Sequence, residues 1–147
     1  GNSLHVKTHS QIIRNRMLIR KNDTFDSLLV KESERLIRSQ SYIHDVTLTV
    51  VPVSADSVDL FVRVSDLWSI VPDGALSNES LTIKLTDKNL GGLGHTFSGS
   101  LWQNYLNGKN AFSSYYYVPN IKNSYISIRL GYAIDENKNF IKGLYIE

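Results

Sequence analysis

Among the 147 residues, four histidines are the side chains best suited to metal binding or proton transfer near neutral pH: His5, His9, His44 and His95. None stands in a metal-ligand spacing such as H-E-x-x-H. His5 and His9 are close in sequence, but His9 falls where a helix should begin, and a capping or surface role accounts for it. Glu32 and Glu34 sit two apart on an expected helix and point to different sides, so they cannot work as a catalytic carboxylate pair. Glu34 and Arg38, four apart, read as a surface ion pair. Gly91-Gly92-Leu93-Gly94 has the glycines of a phosphate loop, but that chemistry needs a lysine and a hydroxyl residue opening a helix. His95-Thr96 opens a strand instead, so the segment reads as a glycine-rich turn. There is no G-x-S-x-G nucleophile motif. The absence of cysteine removes thiolate nucleophiles, thiolate zinc sites and disulfides. Arg14, Arg16, Arg20 and Lys21 form a basic group that could meet acidic lipid or a partner, though a solvated helix face is its default reading. The residues predict no catalytic site, no metal and no cofactor, and therefore not an enzyme.

Composition is that of a folded chain, with 41% hydrophobic and 20% charged residues. A formal net charge of +2 is too small to support an electrostatic claim on nucleic acid. No run approaches the roughly 18 apolar residues of a membrane-spanning helix.

Two kinds of periodicity divide the chain. Thr8 followed by Gln11 predicts a capping box, with a short helix to about Leu18. Lys21-Asn22-Asp23 breaks it. A second helix is expected from Thr24 or Asp26 to about Ser39, with Leu29, Ser33, Leu36 and Ile37 at helical spacing. Val46 to Val50 and Val58 to Val64 then alternate strictly around a turn at Ser54-Ala55-Asp56, which predicts a hairpin. Beyond it, Asp73-Gly74 reads as a turn. Leu81 to Thr86, His95 to Trp102, Tyr125 to Tyr132 and Phe140 to Ile146 read as amphipathic strands, with a polar turn at Asp135 to Lys138. Trp102, Tyr105, Tyr115, Tyr116, Tyr117, Tyr125, Tyr132 and Tyr145 lie near expected strand ends, as interfacial aromatics of a membrane barrel would. A soluble antiparallel sheet with one wet face gives the same alternation, and periodicity alone does not separate the two.

Particular motifs point further. Asn2-Ser3-Leu4-His5-Val6-Lys7-Thr8, Ile12-Ile13-Arg14, the turn from Leu18 to Asp23, Glu32-Ser33-Glu34-Arg35-Leu36-Ile37-Arg38 and Tyr42-Ile43-His44-Asp45-Val46 together resemble a POTRA domain. More narrowly, they resemble the last such domain of BamA/TamA-type outer-membrane assembly proteins, the bacterial surface antigen family. Asp66 and Trp68 match that family's hand-over to its barrel. Asp87 to Gly94 is similar to the signature between the first two barrel strands, and Ser114 to Ile121 to a later aromatic-then-proline motif. Asn22 replaces a glycine usual in the family, a mild change because asparagine tolerates a left-handed backbone.

The resemblance implies an α+β fold. Residues 1–66 would be a POTRA-like domain, two helices on a hairpin sheet, lacking its first strand. Residues 67–147 would be the first antiparallel meander strands of a truncated outer-membrane barrel. It implies a bacterial outer-membrane location with the POTRA part in the periplasm. The implied function is assembly or translocation of client outer-membrane or secreted polypeptides by β-augmentation, with no nucleic-acid partner. The expected partner-binding edge strand carries Val46, Leu48 and Val50 within Val46 to Val53. The expected barrel seam strand carries Leu81, Ile83 and Leu85. Open edges predict that the chain self-associates by strand exchange or edge pairing. A barrel anchor or secretion channel for a fused passenger, or a soluble β-rich binding module, are the alternatives.

Overall fold

The computed structural model describes residues 7–147, the side chain of Asn123 excepted, and these divide into two units, 7–67 and 68–147. His5 and the Asn2 to Val6 part of the family motif lie outside the described residues.

The first unit contains α1 (Ser10–Arg14), α2 (Ser27–Arg38), β1 (Ile43–Pro52) and β2 (Val58–Asp66). The capping box does not form. His9 occupies the N-cap of α1 without a side-chain bond, the Thr8 hydroxyl donates to Asp66 Oδ1, and Gln11 turns to Asn15 Oδ1 at 2.9 Å. α1 stops at Arg14 rather than near Leu18, because the Leu18 backbone N–H is taken by Ser33 Oγ at 2.9 Å. Ser33 is fully buried on α2 and donates in turn to Leu29 O at 2.7 Å, so one hydroxyl ties the chain after α1 to the next helix. α2 begins where expected. Asp26 is its N-cap and accepts from Leu28 N and Leu29 N, satisfying two of the free N–H groups of the first turn. Arg35 and Arg38 in the last turn complement the negative end of the helix dipole.

β1 and β2 pair antiparallel, with Val46 opposite Val64 and Pro52 opposite Val58. Ile13, Ile37, Tyr42, Ile43 and Val46 form the core, with Ile12, Met17, Leu48, Val62 and Val64 packed against them. Val46 and Leu48 of β1 therefore face the helices, and the irregularity between Ile43 and Asp45 brings Ile43 to the same side.

The second unit is a six-stranded antiparallel meander in sequence order: β3 (Ile70–Leu76), β4 (Ser80–Leu90), β5 (His95–Asn104), β6 (Asn110–Val118), β7 (Ile128–Ile134) and β8 (Phe140–Ile146). Asp73 and Gly74, expected in a turn, lie inside β3. Gly74 is needed there for clearance, since a Cβ at this position would stand 2.8 Å from Thr82 O on the neighbouring strand. Tyr125 to Tyr132 is not one strand: Tyr125 has φ +61° and belongs to the β6–β7 connection, where its N–H donates to Asn120 Oδ1 at 2.8 Å. In the β4–β5 turn, Gly91, Gly92 and Gly94 all take positive φ, and buried Asn89 accepts from Gly94 N at 2.7 Å. Among the described residues no helix is long and apolar enough to cross a membrane, which leaves crossing by strands untouched.

Candidate functional site

Register sorts the side chains of the meander into two faces, because directly opposed residues project to the same side. Ile83 opposes Leu101, Leu101 opposes Phe112, Phe112 opposes Ile134, and Ile134 opposes Phe140. A second row runs Phe97, Tyr116, Leu130, Leu144. With Leu81 and Leu85 these make one largely apolar face, interrupted by Gly99, Ser114 and Lys142 in the row between. Leu76, Ile83, Leu85, Leu101, Phe140, Leu144 and Ile146 on it are each more than half exposed.

The opposite face carries the short polar side chains, with Val71, Trp102, Tyr115, Tyr117 and Ile141 among them. Thr82, Lys84 and Thr86 of β4 share it with Ser98, Ser100 and Trp102 of β5, followed by Ser113, Tyr115 and Tyr117, then Arg129, Gly131 and Ala133. Ser98 there is 2% exposed, and Thr86 Oγ1 and Ser98 Oγ lie 2.9 Å apart. Large apolar side chains thus stay exposed on one face while Ser98 is buried on the other.

Of the expected edge-strand residues, Val46 is 1% exposed in the core, Leu48 packs against that core, and Val50 is 36% exposed. Their side chains line the inner face of β1, so any pairing would use its backbone. β1 is bonded to β2 alone among the described strands. Arg38 Nη2 donates to Val46 O at 2.8 Å, lies 3.5 Å from Asp45 Oδ1 and pairs with Glu34 Oε1 at 2.7 Å. The edge is therefore occupied at Val46.

The seam expectation needs correction. Leu81, Ile83 and Leu85 lie on β4, which pairs with β3 on one side and β5 on the other. β3 is the edge of the described sheet. Pro72 within it lacks an N–H, which an edge position tolerates. Sequence reasoning missed β3 because Asp73-Gly74 has turn chemistry; the apolar pair Ile70-Val71 before an edge-compatible proline was the available signal.

The residues weighed for chemistry stay apart. His9 stands at the N-cap position of α1 without a capping bond, His44 lies exposed on β1, and His95 Nδ1 is 2.5 Å from the Tyr116 hydroxyl. Glu32 pairs with Arg35, whose hydrogen bonds hold its carboxyl below the ordinary carboxylate value. Among the described residues no group of His, Cys, Asp or Glu is placed to hold a metal ion.

With two helices on a hairpin and a two-faced meander established, a likeness among solved structures becomes informative. The chain is similar to the crystal structure of BamA from Haemophilus ducreyi lacking POTRA domains 1–3. The TM-score is 0.69 at 15% sequence identity, over 90% of this chain and 28% of that chain. At that identity the likeness establishes the fold, mostly antiparallel β with two short helices. The chain spans well under a third of its neighbour's length. No family model matches the chain, and no curated protein matches it.

Proposed function

We propose that this chain is part of an outer-membrane β-barrel protein, with residues 7–67 as a POTRA-like periplasmic unit and residues 68–147 as early barrel strands. The observation that carries the reading is the two-faced meander. A mostly apolar and largely exposed face, broken only by Gly99, Ser114 and Lys142 between its apolar rows, suits acyl chains, while the more polar opposite face suits a barrel interior. Moving the seven most exposed of its apolar side chains from water into hydrocarbon is worth on the order of 10 kcal/mol, at about 1.5–3 kcal/mol for each one fully transferred. Closed pairing with further strands would satisfy the edges of β3 and β8, as a bilayer demands.

The role is assembly or translocation of client outer-membrane or secreted polypeptides by strand addition, without catalysis, metal or cofactor. β1 would offer its backbone edge from Thr47 onward, since Arg38 already holds Val46 O. Until such edges are covered, edge pairing between copies of this chain belongs to the same reading. The resemblance of the motifs to the assembly family and the structural likeness to BamA support it jointly.

The test is fractionation of the full-length protein with protease protection and heat-dependent gel mobility. Outer-membrane recovery with a heat-modifiable band is the expected result. A soluble, heat-insensitive product would defeat the proposal.

A further inference from the structure

Arg129 stands apart on the polar face of the meander. Among the described residues of β5 to β8 it is the only charged side chain on that face, by register. Lys84, farther along the same face, is directly opposed by Asp73, whereas nothing acidic opposes Arg129: its cross-strand partners are Tyr117 and Tyr145. Among the described residues the Arg129 guanidinium makes no side-chain hydrogen bond or ion pair. It is nevertheless held. Its Cζ lies 5.3 Å from the centroid of the Tyr117 ring and 5.8 Å from that of Tyr115, within the range of cation–π attraction.

The floor beside it is open. Gly131, the next residue of β7 on this face, sits between Tyr115 and Gly143, and a Cβ built there would meet nothing within 4 Å. The Tyr145 ring lies over Gly143 instead, 2.9 Å from where a Cβ would be. The result is a shallow trough at Gly131 with tyrosines to either side and a guanidinium at one end.

We infer that this trough binds an acidic polypeptide segment, with a glutamate or aspartate carboxylate on Arg129 and the segment's backbone lying over Gly131. An oriented guanidinium with its donors free matches a planar carboxylate in two parallel hydrogen bonds. Charge complementarity selects an anionic partner, and the flat glycine floor bordered by tyrosine hydroxyls suits an extended chain. The inference uses the polar face alone and stands whether or not the apolar face meets lipid.

The test uses the full chain, folded in detergent micelles, with the Arg129 Nε–Hε resonance followed during titration. The probes are a capped glycine–glutamate–glycine peptide, its glutamine counterpart and inorganic phosphate. Saturable shifts with the glutamate peptide and none with the glutamine peptide are expected. Gly131→Phe, which fills the trough but leaves the charge, should weaken binding on the order of tenfold or more, because the ring takes the space the segment's backbone would occupy. Arg129→Gln should abolish binding of a dye-labelled glutamate peptide. Equal response to both peptides, or unchanged binding in Gly131→Phe with native circular dichroism, would overturn the inference. A response to phosphate with silence toward the peptide would overturn it as well, in favour of a phosphate ester. Should Arg129→Gln fail to fold, the two-peptide comparison on the unmodified chain still decides.

Discussion

Thr8 and Asp66 are joined by two hydrogen bonds across 58 positions of sequence: the Thr8 hydroxyl donates to Oδ1 at 2.5 Å and its backbone N–H to Oδ2 at 3.3 Å. The contact fixes the segment before α1 to the last residue of β2. Asp66→Ala should cost about 1–3 kcal/mol, because a part-buried donor pair loses a charged acceptor. Asp66→Asn should cost less. Urea unfolding of the full chain measures both, and an unchanged midpoint in Asp66→Ala would show the contact to be incidental.

The two faces of the meander predict opposite tolerance of charge. On the proposed membrane reading, Ile83→Arg, on the apolar face of β4, should destabilise the protein by about 2–4 kcal/mol near the bilayer midplane. Thr82→Arg, one residue earlier and on the polar face, should be nearly silent. Folding yield into phospholipid vesicles, read by heat-dependent mobility, compares them. Equal effects would argue for a soluble sheet.

Asp26 caps α2 through Leu28 N and Leu29 N. Asp26→Ala should lower stability by about 1 kcal/mol, and Asp26→Asn should be close to neutral because asparagine caps equally well. Thermal melts followed by far-UV circular dichroism distinguish the two substitutions.

Gly74→Val should separate β3 from β4, since the new Cβ would press on Thr82 O. A cost of about 1–3 kcal/mol is expected from such overpacking. Faster amide exchange confined to β3 and its partners on β4 is the readout, and uniform protection would contradict it.

In the β7–β8 turn, Asp135 accepts from the Asn139 side chain at 3.0 Å and from the backbone N–H groups of Asn139 and Asn137 at 2.9 and 2.8 Å. These bonds hold its carboxyl below the ordinary 3.8, the Asn139 side chain contributing most. A depressed folded value means that the turn's contribution is complete above 3.8 and fades as pH falls through the folded value. Carboxyl-carbon NMR should therefore place the Asp135 midpoint below 3.8, and Asn139→Ala should raise it.

Local chemistry made much of this legible. α2 shows itself through Asp26 and a helical apolar stripe, and the hairpin through strict alternation. The polar Asp135 to Lys138 turn lies between β7 and β8 as its composition indicates. Where reading failed, a distant partner had overridden local preference. Thr8 forgoes the N-cap for Asp66, and Leu18 leaves the helix for Ser33. Gly74 in β3 serves clearance to Thr82 rather than a turn. The Arg129 trough was invisible for the same reason, since Tyr115, Tyr117 and Gly131 meet it only through β6–β7 register. No spacing in the sequence announces that meeting.

The strand order of the meander also bears on timing. Each of β3 to β8 pairs only with strands adjacent in sequence, through connections of a few residues. Closing such short loops takes nanoseconds to microseconds, and ladders of local contacts fold faster than those needing distant partners. A newly made chain could therefore lay down this sheet hairpin by hairpin, in the order of its synthesis. Within the described sheet only the outer edges of β3 and β8 are left waiting for a partner.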